Sequence, residues 1–220
     1  MNGFVLAGGA STRMGRDKAL LQLGGRPMIE IALGLLRGLG IEPRICGTRP
    51  DLARFAQVLP DNHPGCGPLA GIEAALSASG SDLNLFIPVD LPLLPRAFLR
   101  WMMDRAEVSK AVATIPLLTG RAQPLCAVYS RRLLRGIHEA LAGGEYKMMT
   151  AIASAARSLG ERIDTCAVES LAAALIPETW PDDPPVQRWF RNINTPEGYE
   201  QLLGDLPNRT SGANRAHPIS

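Results

Sequence analysis

Apolar residues along the chain fall into two alternating patterns. Short continuous runs sit at Phe4–Ala7, Pro43–Gly47, Gln57–Leu59, Leu83–Pro88, Ala111–Ile115 and Gln123–Tyr129. Continuous runs of this length, bounded by Gly and Pro, predict buried strands. Between them lie amphipathic stretches at Met28–Leu39, Asp51–Ala56, Leu69–Ala78, Phe98–Ala106, Arg131–Ala142 and Tyr146–Arg157, which predict helices. The first has the proline start and glycine end of a helix, with Met28, Ile31, Leu35 and Leu39 as its expected buried stripe. Strands alternating with helices at this spacing predict a single α/β domain built on a doubly wound, mostly parallel sheet flanked by helices.

Punctuation between the elements is equally regular. Gly24-Gly25-Arg26-Pro27 reads as a turn, and Pro60 to Pro68 is dense enough in turn residues to be a loop. Pro177 to Pro185 reads as another loop, with Trp180 and Trp189 as packing anchors over it. Phe190 to Glu197 predicts a strand, a turn and a helix start with Thr195 as N-cap and Pro196 at the first position. From residue 206 to Ser220 almost no apolar residue remains, so the expected layout is a domain over 1–205 and a disordered tail over 206–220.

Composition narrows the function classes. The 220 residues are 46% apolar, enough for one substantial core. A net charge of +2 gives no general attraction to nucleic acid or to an anionic membrane, so an acidic ligand must be held by local charge. No apolar run approaches a signal-peptide core or the roughly 18 residues of a membrane span, and the expected location is cytoplasmic. Cys46, Cys66, Cys126 and Cys166 form no C-x-x-C pair and are expected to be buried thiols. His63 is expected to be a polar loop residue, because His138 and His217 suggest no cluster in sequence.

The chemistry concentrates after the first predicted strand, in Leu6-Ala7-Gly8-Gly9-Ala10-Ser11-Thr12-Arg13-Met14-Gly15-Arg16-Asp17-Lys18. Glycines at 8, 9 and 15 let main-chain N–H groups approach an anion, while Arg13 and Lys18 add fixed positive charge. This predicts a phosphate cradle at the carboxyl edge of the sheet, where open α/β folds bind ligands. The spacing fits neither a G-x-x-x-x-G-K-[ST] loop nor a G-x-G-x-x-G fingerprint. A second stretch, Leu83 to Pro92, puts Asp90 just beyond a buried strand on that same edge. An aspartate there serves equally as a helix N-cap or as a carboxylate for a hard cation such as Mg²⁺. Asn192 and Asn194 lie one strand period apart and are not needed for capping.

The string L-A-G-G-x-S-x-R-M-G-x-D-K-A-L-L resembles the signature of the nucleotidyltransferases that attach a nucleotide to the molybdenum cofactor, in particular the guanylyltransferases among them. Later stretches extend the resemblance over most of residues 1 to 203: Asp61 followed by G-P-L-A-G at 67–71, D-x-P at Asp90, and N-I-N-T-P-E at 192–197. It implies a Rossmann-like nucleotidyltransferase fold that uses GTP and molybdopterin as substrates. GTP would be bound by Leu6, Ala7, Gly8, Gly9, Lys18, Asp61 and Asp90. Arg13, Lys18 and Asp90 would be catalytic, Asp90 would hold Mg²⁺, and Gln123, Asn192 and Asn194 would border the pterin acceptor. It also implies transient contact with molybdoenzyme maturation proteins. Two positions depart from the family pattern: Gln123, where histidine is usual before the proline, and Thr48, where asparagine is common. Relatives that transfer cytidylate look like L-A-A-G at the first loop, so Gly8-Gly9 favours guanine. A sugar-phosphate nucleotidyltransferase and a non-catalytic nucleotide-binding module remain the other readings.

Overall fold

The computed structural model describes residues 1–8, 17–171, 186–193 and 199. Gly9, Arg13, Trp180, Asn194, the loop at 177–185, the helix start at Thr195 and the tail at 206–220 lie outside the described residues.

Strand β1 (Asn2–Leu6) lies inside the sheet, parallel to β4 (Pro43–Cys46) on one side and to β6 (Leu83–Pro88) on the other. Beyond β4 lies β5 (Val58–Leu59). Beyond β6 come β9 (Ala127–Ser130), β7 (Ala113–Leu118) and β10 (Ile163–Ala167), with β8 (Arg121–Ala122) paired to β7. Within this sheet β9 and β8 run antiparallel to their neighbours and the other pairings are parallel, which is the mostly parallel arrangement the pattern predicts.

Both faces are buried, which is why the central strands read as unbroken apolar runs. Val5, Leu85 and Ile87 face one core, covered by α1 (Met28–Arg37) and α3 (Arg96–Ser109). Phe4, Leu6 and Phe86 face the other, covered by α2 (Pro68–Ser77), α4 (Leu134–Ala142) and α5 (Met148–Ser158). Phe4 and Phe86 stack across the β1–β6 pair with ring centroids 5.0 Å apart. Among the described residues no helix is long and apolar enough to cross a membrane.

Several elements differ from the sequence reading. The buried face of α1 is Met28, Ile29, Ala32, Leu33 and Leu36, while Ile31 and Leu35 are only partly buried. Bulky apolar residues occupy two faces of this stretch, and the one that packs is that of Ile29, Leu33 and Leu36, with Ala32 beside them. The helix expected at 51–56 is a single 3₁₀ turn, Pro50–Leu52. Gln123 is not in a strand: it sits in the turn before β9, its N–H donating to the Pro116 carbonyl at 2.9 Å. No strand forms at 190–193, and Val186–Trp189 is one helical turn. Trp189 is nevertheless the anchor expected, fully buried with its ring 5.3 Å from that of Phe98. Strand β10 escaped the pattern because its buried face carries Asp164, held by a bidentate pair from Arg105 on α3 (2.7 and 2.8 Å). The turn at Gly24-Gly25 joins a two-residue hairpin, β2 (Gln22–Leu23) with β3 (Arg26–Pro27).

Candidate active site

The connections leaving β1 and β6 depart in opposite directions across the sheet: β1 leads to β4, whereas β6 leads through α3 to β7. Adjacent strands that diverge in this way open a crevice at their carboxyl ends, the usual ligand position in doubly wound sheets. Gly8 follows β1 there and Asp90 follows β6. The Val89 N–H donates to the Leu6 carbonyl (3.1 Å), locking the two exits together.

Lys18 reaches across this crevice. Its Nζ lies 3.4 Å from Asp90 Oδ2, and both side chains keep about a fifth of their surface exposed, 23% and 20%. The lysine starts a 3₁₀ turn, Lys18–Leu20, whose N-cap is Asp17: Oδ1 accepts the Ala19 N–H at 3.0 Å, and buried Ala19 anchors the turn. Asp17 is in turn gripped by Arg49, which follows β4. One guanidinium nitrogen donates to Asp17 Oδ1 at 3.3 Å and another pairs with Oδ2, while Nε and Nη2 bind Asp51 at 2.9 and 2.6 Å. Hydrogen bonding to Asp51, reinforced by Asp17 and opposed by partial burial, pushes the Arg49 pKa up, and the same bond holds the Asp51 carboxyl low. The spacing of the glycine loop did not reveal Asp17 and Arg49 as supports of Lys18. The available signal was Asp immediately before Lys, the position of a short-turn cap.

On the β4 side, Gly47 lies against Gly8. A Cβ on Gly47 would sit 2.9 Å from both Cα and N of Gly8, and Gly47 has φ +131°, so close approach and backbone conformation both require glycine. Asp61 enters the same space from the loop after β5. Its Oδ2 is 4.0 Å from where a Gly8 Cβ would be, and Oδ1 is 3.4 Å from the corresponding point on Gly71 in α2. That Oδ1 is buried and has no hydrogen-bond partner among the described residues. Burial raises the Asp61 carboxyl above its ordinary pKa. Since buried polar atoms are nearly always paired, an orphan acceptor beside a ligand crevice marks a place for an incoming donor.

Residues 3–159 match the MobA-like NTP transferase domain. The chain belongs to the MobA-like NTP transferase family. The molybdenum cofactor guanylyltransferase of Xanthomonas euvesicatoria pv. vesicatoria is 33% identical over 207 residues, 93% of this chain and 95% of that protein. The probable molybdenum cofactor guanylyltransferase of Methanothermobacter thermautotrophicus is 35% identical over 203 residues, 88% and 94% of the two chains. Among solved structures, molybdopterin-guanine dinucleotide biosynthesis protein A from Archaeoglobus fulgidus shares the fold with a TM-score of 0.74 at 24% identity, covering 93% of this chain and 97% of that one.

Within this family fold, the described site residues gather on one edge of the sheet. Leu6, Ala7, Gly8, Lys18, Asp61 and Asp90 surround the crevice. Ala7 differs from expectation in one respect: its N–H donates to the Cys46 carbonyl (3.0 Å) and is not available to a phosphate. Sheet pairing continues one residue past β1, so exposed Gly8 is the first described residue beyond the ladder. Asn192 is exposed and immediately precedes Ile193, whose N–H faces the Asp90 carbonyl at 3.4 Å, so it borders the crevice without being part of a strand. Gln123 lies on the same edge, because antiparallel β9 begins where β6 ends, and its Nε2 donates to the Arg121 carbonyl at 3.2 Å. Thr48 is exposed. Cys46, Cys126 and Cys166 are the expected buried thiols, whereas Cys66 is only partly buried. Burial pushes the Cys46 and Cys126 thiols far up and Cys166 to about 11, which rules them out as thiolate nucleophiles at neutral pH. His63 is the loop residue expected, but the fold, unlike the sequence, brings His138 beside it, rings 5.5 Å apart.

Proposed function

We propose that this chain transfers GMP from GTP to the terminal phosphate of molybdopterin, releasing pyrophosphate and giving the guanine dinucleotide form of the molybdenum cofactor. The observation that carries the reading is the Lys18–Asp90 pair spanning the β1/β6 crevice of a MobA-like NTP transferase fold. The names of relatives that align over about nine-tenths of the chain support the guanine and molybdenum-cofactor specificity.

The attacking group is already an ionised phosphate, so no general base is needed and catalysis rests on positioning and charge. Gly8 and Gly9, with Arg13, hold the triphosphate. The ammonium of Lys18, fixed through Asp17 and Arg49, offsets charge that develops around the α-phosphate and the leaving pyrophosphate. Asp61 accepts from the donor groups of the base or ribose, which gives its buried Oδ1 the partner it lacks among the described residues. Asn192, Asn194 and Gln123 border the acceptor.

Asp90 offers hard carboxylate oxygens, partly exposed at the edge where the phosphates lie, and this donor fits Mg²⁺, which often takes one or two protein carboxylates and leaves the rest of its shell to phosphates and water. When bound, Mg²⁺ would supply Lewis-acid neutralisation of phosphoryl charge. The catalytic domain extends over 1–205, and a reaction between two small molecules suits a cytoplasmic protein.

Pyrophosphate release with molybdopterin as acceptor tests the reading. GTP is expected to turn over and CTP to be rejected by a large factor, because a site built for guanine leaves hydrogen-bonding groups unpaired around the wrong base. Comparable turnover of CTP would remove the guanine assignment. No pyrophosphate from any nucleotide in the presence of acceptor and Mg²⁺ would leave a binding module instead.

A further inference from the structure

A second cluster of ligand-type side chains lies on the helical face formed by α2 and α4. Glu73, in the second turn of α2, is only 5% exposed, which is unusual for a carboxylate. Its two oxygens have different partners. Oε2 accepts from Asn62 Nδ2 at 2.9 Å, and Oε1 lies 3.3 Å from Nδ1 of His138 on α4. His63, from the loop after β5, presents its ring edge to that of His138 at an interplanar angle of 60°. One ligand atom from each of His63, Glu73 and His138 falls within 4.8 Å of the others.

We propose that His63, Glu73 and His138 form a binding site for a divalent d-block cation of the zinc type. Three protein ligands of the His₂Glu kind plus one water are a recurrent four-coordinate set for such ions. Bonds of about 2.0–2.1 Å in a tetrahedron place ligand atoms about 3.4 Å apart, close to the 3.3 Å already separating His138 Nδ1 from Glu73 Oε1. Only His63, carried on a loop, has to move inward. The Asn62 amide fixes the second oxygen of Glu73, the outer hydrogen bond that orients a carboxylate ligand.

The sequence order makes this site consequential. Asp61, Asn62 and His63 are consecutive: the first faces the crevice, the second holds Glu73 and the third is the ligand from the loop. An ion bound here ties the loop to α2 and α4 and fixes the position of Asp61. That coupling to the nucleotide rests on the reading of the crevice given above, whereas the ion site itself does not.

The test uses the full chain, stripped with a chelator and without nucleotide, titrated with Zn²⁺ by calorimetry and with Co²⁺ by visible absorption. One ion per chain is expected, with the intense d–d bands of a four-coordinate nitrogen and oxygen set and no thiolate charge-transfer band. His63→Ala, His138→Ala and Glu73→Gln should each lower affinity by more than about 100-fold, and Asn62→Ala by about 10–100-fold. Zn²⁺ should raise the melting temperature of the parent and not that of the three ligand variants. His138 is more than half exposed, so its variant is expected to fold, with a metal-free melting temperature matching that of the parent. Absence of stoichiometric binding, or binding that survives His63→Ala, would reduce the cluster to a His138–Glu73 contact and overturn the proposal. A cobalt–thiolate signature would overturn it in favour of the cysteines. Loss of pyrophosphate-releasing activity has no bearing on these binding results, so the two readings fail separately.

Discussion

Two carboxylates on the same sheet edge have opposite circumstances. Asp90 is partly open and already faces the cation of Lys18 at 3.4 Å. Asp61 is wedged between Gly8 and Gly71, with one oxygen buried and without a partner among the described residues, and its pKa is raised by burial. A part-buried pair of this length adds little to stability, because desolvation of both groups offsets much of their attraction, which leaves the arrangement at Asp90 to be accounted for by the phosphate role proposed for it. An acceptor buried with no partner among the described residues costs stability, the cost expected of a group kept for the nucleotide contact proposed above. On the proposed reading of the crevice, its phosphate end is nearly neutral for the fold and its base end is held at a cost to it.

The largest expected effect breaks this comparison at the Asp90 end. Asp90→Asn keeps size and shape but removes the charge. An aspartate acting as a helix cap tolerates this change almost without cost, and no helix begins at residue 90, since α3 starts at Arg96. With the charge acting on a metal and on phosphoryl transfer, turnover should fall by roughly 10² to 10³ while the melting temperature stays unchanged. Turnover within a few-fold of the parent at saturating Mg²⁺ and GTP would sink the role given to Asp90.

At the other end, Asp61→Asn should separate binding from stability. Losing a hydrogen bond to a charged acceptor is worth about 1.5–3 kcal/mol, so KM for GTP should rise about 10- to 100-fold. Stability should move the other way. Because burial raises the folded-state pKa of Asp61 above its unfolded value, its contribution to stability is present in acid and lost as pH rises through the folded pKa. At neutral pH the ionised group is a burden that Asn removes. The melting temperature of Asp61→Asn should thus equal or exceed that of the parent at neutral pH, with the gain shrinking as pH falls to the ordinary carboxyl range. A lower melting temperature at neutral pH together with an unchanged KM would show that Asp61 is a structural residue.

How far the sequence reveals this site follows from the physics of each part. Continuous apolar runs disclosed the central strands because both sheet faces are covered, and turn residues placed Gly8 and Asp90 at their ends. Strand β10 was hidden by Asp164, whose burial depends on Arg105 from a distant helix, a pairing no local pattern contains. Likewise the support of Lys18 comes from Arg49, 32 positions from Asp17, and His138 meets Glu73 across a separation of 65. Local periodicity reports burial, whereas contacts between charged side chains far apart in the chain exist only once the sheet order is set. The shift of the α1 stripe has a smaller cause: Ile29, Leu33 and Leu36 repeat at helical spacing, as do Ile31, Leu35 and Leu39, so the local pattern fits two faces and only the sheet decides which one packs.

Arg49 gives a milder test of the phosphate end, because it acts only through Asp17 and the turn carrying Lys18. Arg49→Ala should lower kcat about tenfold, the lower range for a misplaced catalytic group, with a smaller change in KM for GTP. Lysine should restore little, since a point charge cannot replace a planar fork that donates to Asp17 and Asp51 together. Rescue of kcat by Arg49→Lys would mean that only the charge near the phosphates matters and that the fork has no positioning role.

The smallest expected effect sharpens the comparison at the base end. Gly71 lies within α2, and no positive φ requires glycine there. Alanine in a helix interior is favoured over glycine by about 0.5–1 kcal/mol, and the added methyl would stand 3.4 Å from both Asp61 Oδ1 and Cys46 Cβ, and 3.6 Å from Leu6 Cδ2. The first of these contacts is tight but not a clash, so Gly71→Ala should raise the melting temperature slightly or leave it unchanged. The same methyl takes up space beside the oxygen that awaits a donor. If the base or ribose enters there, KM for GTP should increase a few-fold with kcat nearly constant, because the phosphate end is untouched. A Gly71→Ala protein with parental KM would mean that the nucleotide leaves this space empty, and Asp61 would then have to act through Oδ2 on the Gly8 side.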